Sequence, residues 1–354
     1  MDEGPANDSF QDKSLQYGGR QNGSRPTHNG AHRDRRPMLL APVFKDRIWG
    51  GDRLAREFGK MTALRPIAES WELSCHPDGL SIIRTGEYAG RTLAEAIDAH
   101  PGWAGPGCSG AAGFPILVKL IDAKQNLSLQ VHPGDAYARA HENDNGKNEA
   151  WYVVDCEPDA RLILGLKADI DAGEIASRLR DGTILECVNY EPVKPGDCYC
   201  VPAGLLHAIC GGVLIAEVQQ SSNVTYRVHD YGRLGADGKP RKLHIEQAAD
   251  VVNGELRVAN CADGAAVRVL EGYSDTELVN WRFFKLNKLD IGGSASLCCG
   301  SGGFHSLLVT GGDFTVEADG CPPVAAHKGG CVFIPSGLGA YTLRGHGCVL
   351  LASA

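Results

Sequence analysis

The segment Gly196-Asp197-Cys198-Tyr199-Cys200-Val201-Pro202-Ala203-Gly204-Leu205 returns later in the chain as Gly329-Gly330-Cys331-Val332-Phe333-Ile334-Pro335-Ser336-Gly337-Leu338. Each copy reads as a Gly turn, a short apolar strand and a Pro-small-Gly turn, the parts of a β-hairpin. Their separation is close to the length of a small β domain, which points to two β units sharing one architecture. The copies differ at one informative place. His207 follows the first Pro-Ala-Gly turn, and Ala340 stands at the matching position after the second.

Composition supports a mainly β fold with a few short helices. Gly (45) and Pro (18) are abundant and Met (3) is rare, a balance of many strands joined by turns. Strand-like runs cover residues 81–84, 116–121, 151–154, 161–166, 198–201 and 213–218, and helical spacing is confined to 91–100 and 168–180. With 354 residues the chain exceeds the roughly 250–300 at which a single core stops growing. The expected division is a β domain with helical insertions over 38–254 and a second over 255–354. Residues 1–37 carry too few aliphatic side chains to offset the entropy of ordering and are expected to be a disordered leader. No basic start followed by an apolar stretch marks a secretory signal, so the cytoplasm is the default address. No run of residues is apolar enough for a membrane span, and the formal charge of −8 argues against a nucleic-acid partner. The 13 Cys include no Cys-x-x-Cys pair and are expected to be buried and reduced. Self-association is not legible.

In Leu127-Ser128-Leu129-Gln130-Val131-His132-Pro133, strand alternation places Ser128, Gln130 and His132 on one face and the aliphatic residues on the other. Glu149 opens another apolar strand, and His207 lies at the mouth of a third. Two imidazoles, one carboxylate and one amide oxygen make a donor set for a divalent metal with an open position, most simply Zn²⁺.

Seven stretches, in order over about residues 38–250, carry a specific resemblance: 42–51 (PVFKDRIWGG), 69–74 (ESWELS), 114–123 (FPILVKLIDA), 130–133 (QVHP), 146–152 (GKNEAWY), 202–208 (PAGLLHA) and 219–228 (QQSSNVTYRV). Together they resemble the type I mannose-6-phosphate isomerases, particularly the shorter bacterial form. The resemblance implies a cupin-type (jelly-roll) β-barrel with one zinc ion per chain, interconverting mannose 6-phosphate and fructose 6-phosphate. It carries the family's zinc ligands onto His132, Glu149 and His207, with Gln130 where longer members supply a fourth, and its catalytic Arg onto Arg227. Residues 255–354 resemble the family less; with Ala340 in place of a His, a metal-free cupin-like second domain is expected.

Aldose–ketose isomerisation moves a proton between adjacent carbons through an enediol, so negative charge grows on the sugar oxygens. A metal and a guanidinium suit that charge. Candidates for the base are Glu217, Lys119 and Lys147; Lys119 and Ser128 are the expected phosphate contacts. His132, Glu149 and His207 equally satisfy a two-His, one-carboxylate iron oxygenase, and a non-catalytic sugar-binding cupin is the other alternative.

Overall fold

Two sheets pack face to face around the first half of the chain. The computed structural model describes residues 34–108, 110, 113–168, 170–235 and 238–354. In the six-stranded sheet the order is Cys198–Val201, Glu149–Cys156, Val213–Gln220, Ile116–Ala123, Glu69–Leu73, Val43–Lys45. The five-stranded sheet runs Tyr226–His229, Leu129–Val131, His207–Ile209, Arg161–Leu166, Val188–Pro192. Every paired strand is antiparallel, and Ile121, Trp151, Val153, Leu162, Leu164, Ile209 and Ile215 meet in the core between the sheets.

The six-stranded sheet is buried on its other face as well. There Val118, Leu120, Ala150, Tyr152, Ala216 and Val218 pack against Phe284, Leu286, Phe304, Leu308, Phe333 and Leu350 of the second half. Two-sided burial explains why Ile116–Ala123 and Val213–Gln220 are buried at every position, the polar Lys119, Glu217 and Gln219 included. The outer face of the five-stranded sheet is covered by the helices Ala172–Asp181 and Ile245–Val251 through Ile175, Leu179 and Ala248. The helix expected over 91–100 spans Leu93–Ala99, opened by a capping box in which Thr92 and Glu95 satisfy each other's backbone N–H.

A nine-stranded sheet, with the long strands Lys285–Cys299, His305–Ala318 and Gly339–Ser353 at its centre, bends around a separate core of Leu289, Phe314, Val332, Tyr341 and Leu351. The repeat is present in the backbone. Cys198–Val201 and Cys331–Ile334 are both strands, and the flanking glycines Gly196, Gly204, Gly329 and Gly337 all take positive φ (96°, 88°, 86° and 77°).

The division expected at 254/255 is crossed by the chain. Met38–Ala41 pairs with Cys331–Ile334 and Ile82–Ile83 with Met38–Ala41, so N-terminal residues complete the C-terminal sheet, and Asp34–Ala354 forms one compact unit. The physical reason is edge pairing: the strand Cys331–Ile334 bonds His305–Ala318 on one side and takes Met38–Ala41 on the other. Of the expected leader, residues 1–33 lie outside the described residues. Residues 34–37 join the packed chain: Arg35 Nε donates to Ser336 O at 2.7 Å and Arg36 pairs with Glu87 at 3.0 Å. All 13 Cys are free thiols, but only Cys75, Cys198, Cys210, Cys299 and Cys331 are buried; Cys298 is exposed and the rest are half-buried, a correction to the expectation that all pack inside. Among the described residues no helix is long and apolar enough to cross a membrane.

Candidate metal centre

Residues directly paired across antiparallel strands project to the same face. On the five-stranded sheet Arg227 pairs with Gln130 and Gln130 with His207, so these three side chains stand in one row. On the six-stranded sheet Glu149 pairs with Gln219, while Glu217 pairs with both Lys119 and Trp151. The two rows face each other. His132 lies just beyond Leu129–Val131, and the ligand atoms of His132, Glu149 and His207 all fall within 4.8 Å of one another, each residue fully buried.

The tautomers of both imidazoles follow from their partners. His132 Nδ1 lies 2.8 Å from Val224 O and His207 Nδ1 2.8 Å from Leu205 O. A carbonyl only accepts, so each Nδ1 carries the proton and each Nε2 presents a lone pair to the interior. Burial, followed by the Lys147 ammonium, pushes His132 down to about 4, and burial also lowers His207, so both rings are neutral near neutral pH. Burial opposes ionisation of Glu149, but the Lys147 ammonium beside it holds the carboxyl well below its ordinary range.

His132 Nε2 is 3.3 Å from Glu149 Oε1, His207 Nε2 is 3.9 Å from Oε2, and Oε2 has no hydrogen-bond donor although it is buried. An unpartnered buried carboxylate oxygen is costly unless something positive meets it. Lys147 Nζ donates to Glu149 Oε1 and approaches His132 Nε2 at 3.2 Å. The donor set thus already gathers positive charge, and its chemistry (two neutral imidazole nitrogens and a carboxylate) fits a divalent metal ion. Gln130 stands beside it with its amide nitrogen 3.4 Å from His207 Nε2; a half-turn of the amide exchanges nitrogen for oxygen.

Next to this cluster lies a cavity of about 390 Å³, bordered by Gln130, Lys147, Ser128, Lys119, Glu217 and Arg227 among others. Every sequence-predicted site residue therefore either lines the cavity or belongs to the buried trio. Their surroundings differ from expectation in one case. Lys119 Nζ donates to Gln219 Oε1 at 2.6 Å and lies 3.0 Å from Glu217 Oε1, so this expected phosphate contact is committed to neighbouring side chains. Glu217 Oε2 accepts from Trp151 Nε1 at 3.0 Å, while its Oε1 lacks a hydrogen-bond donor because Lys119 approaches off the bonding direction.

Sequence reading missed Arg47, Glu69 and Arg241, which also border the cavity. Glu69 accepts from Trp71 Nε1 at 2.8 Å and from Arg47 Nε at 3.2 Å. Both Glu69 and Arg47 sit inside stretches that carried the family resemblance, which was the available signal; Arg241 lies on a loop with no local signature. Burial and then the charge of Arg241 lower Arg227 from its ordinary value, with Arg233 and Arg47 adding to the effect, and the Arg227 Nε is buried without an acceptor. Arg47, Arg227 and Arg241 all border the cavity, and Asp230, which pairs with Arg233 and Arg241, offsets part of their charge.

Residues 38–157 match the family model for the phosphomannose isomerase type I catalytic domain. Over 313 residues the chain is 36% identical to mannose-6-phosphate isomerase ManA of Bacillus subtilis (strain 168), covering 88% of this chain and 96% of that protein. The probable mannose-6-phosphate isomerase GmuF of the same strain is 45% identical over 217 residues, 61% of this chain and 68% of GmuF. The crystal structure of mannose 6-phosphate isomerase from Bacillus subtilis aligns with a TM-score of 0.82 at 33% identity, over 90% of this chain and 99% of that one. The ligand types alone are shared with iron oxygenases, but the likeness in sequence and in fold runs to isomerases over nearly the whole length. With buried donors converging beside a basic cavity and relatives matched end to end, the chain belongs to the type I phosphomannose isomerases.

Proposed function

We propose that the family reaction, interconversion of mannose 6-phosphate and fructose 6-phosphate, runs in the 390 Å³ cavity beside a zinc ion held by His132, Glu149 and His207, with Gln130 as a further ligand. The observation that carries this reading is the buried Glu149 Oε2, which has no protein donor and lies 3.9 Å from His207 Nε2, while His132 Nε2 stands 3.3 Å from the other carboxylate oxygen. Bound there, zinc would supply a Lewis acid for the sugar carbonyl. Lys147 Nζ approaches the His132 Nε2 lone pair that the ion would use.

Arg227 presents guanidinium donors to the oxygens on which charge develops, and its burial keeps those donors strong. Glu217 takes the proton from one carbon and returns it to the next. Its Oε2 is fixed by Trp151 and its Oε1 keeps a free lone pair, whereas Lys119 and Lys147 are occupied by Gln219 and Glu149. Arg47, Arg241 and the buried Ser128 offer donors to the phosphate, and Lys119 holds Glu217 in place.

A coupled assay starting from mannose 6-phosphate tests the metal. Chelation should abolish turnover and added Zn²⁺ should restore it, with elemental analysis returning about one zinc per chain. His207→Ala should lose turnover and metal together. Full turnover by chain stripped of all divalent metal overturns the proposal.

A further inference from the structure

Three thiols converge at the start of the connector between the two halves. Cys198 and Cys200 lie two residues apart on one strand and so share a face. The bridge between Tyr199 and Asn260 lays the connector alongside that strand. Several bonds fix it there: Cys261 N–H donates to Cys198 O at 2.6 Å, Cys198 N–H to Asn260 Oδ1 at 2.9 Å, and Asn260 Nδ2 to Asp197 Oδ1 at 2.9 Å. The outcome is that Cys261 Sγ stands 3.3 Å from Cys200 Sγ. Bond formation needs about 2.05 Å, so the sulfurs must close by little more than an ångström between backbones already held in register.

We propose that Cys200 and Cys261 are a built-in thiol pair that a hydroperoxide converts to a reversible disulfide. Cys261 and Cys200 are half-buried, open to a small oxidant, while Cys198 is buried behind them. The thiols divide the roles. Contact with the neighbouring thiols favours the thiolate of Cys261 over the opposing effect of burial, and the same contact raises Cys198 and Cys200. The Cys261 thiolate attacks one peroxide oxygen; the O–O bond breaks, hydroxide leaves and takes up a proton as water, and Cys261 becomes a sulfenic acid. Cys200 then attacks that sulfur through its own, its proton leaving with the displaced hydroxide as a second water. The sum is two thiols and one hydroperoxide giving one disulfide and two waters when the oxidant is hydrogen peroxide. The link closes a loop of 61 residues and fastens the connector to the strand that pairs, at Val201, with Glu149.

The test treats the full chain with a small excess of hydrogen peroxide and maps disulfides by tandem mass spectrometry. The expected result is a Cys200–Cys261 link that dithiothreitol removes and that Cys261→Ser lacks. The melting midpoint of the oxidised chain should exceed that of the reduced chain by roughly 5 °C. If Cys261 remains fully alkylatable after peroxide has oxidised the exposed Cys298, or if the dominant link joins another pair, the proposal fails. The mapping is done on the unsubstituted chain and does not depend on the variant folding.

Discussion

Arg227 lacks a full set of partners: its Nη1 donates to Lys242 O at 3.0 Å, while its Nε is buried without an acceptor. A guanidinium so placed is ready to receive an anion, since the incoming oxygen relieves both the unpaired donor and the crowding by Arg241 and Arg47. Arg227→Ala should lower kcat by about 10²–10³-fold, the usual loss of one preorganised donor, with bound zinc unchanged. Parallel kinetics and elemental analysis separate this outcome from a structural role, in which metal content and turnover fall together. Such a role was not visible in Arg227 as a letter in the sequence. The row that it shares with Gln130 and His207 depends on pairing between strands remote in the chain.

Among the elements, the long strands of the second half bend because they contain irregular positions. In His305–Ala318 the pairing with Gly339–Ser353 shifts register between Val309 and Gly311, and Gly312 follows with φ of 82°. A Cβ at Gly312 would stand 1.9 Å from His346 O, a backbone atom that cannot turn away. Gly312→Ala should therefore cost about 3 kcal/mol or more through the clash and the left-handed backbone. Chemical denaturation should show this loss while turnover per folded molecule stays unchanged, because the cavity lies in the other half. Strand positions such as 161–166 and 198–201 were readable from composition and turn residues. Two-sided burial of Ile116–Ala123 was not, since an apolar run is the same whether one sheet face or both are covered.

For the molecule as a whole, the two halves are joined by more than apolar contact. Lys60 Nζ lies 2.5 Å from Glu72 Oε1 and donates to Gly329 O at 2.6 Å, tying the first sheet to a turn of the second. Both side chains are buried, and burial holds the Glu72 carboxyl above its ordinary value even with Lys60 beside it. Lys60→Met should cost about 3–5 kcal/mol in denaturant unfolding, because it leaves a buried carboxylate unpaired. Lys60→Met combined with Glu72→Gln should cost less than the single change, since the second substitution removes that charge. A double variant as unstable as the single one would mean that the Gly329 contact, not the ion pair, is what matters.

Local chemistry in the chain determined the mainly β character, the hairpin used twice, the helix starts, and the residue types able to bind a metal. These depend on side-chain alternation, turn glycines and capping groups, all of which act within a few residues. Tertiary structure alone decided that Met38–Ala41 completes the far sheet, that Lys119 serves Glu217 and Gln219, and that Arg47 and Arg241 join the cavity. Those outcomes come from edge pairing and through-space charge between residues distant in sequence, and no short window of sequence contains both partners.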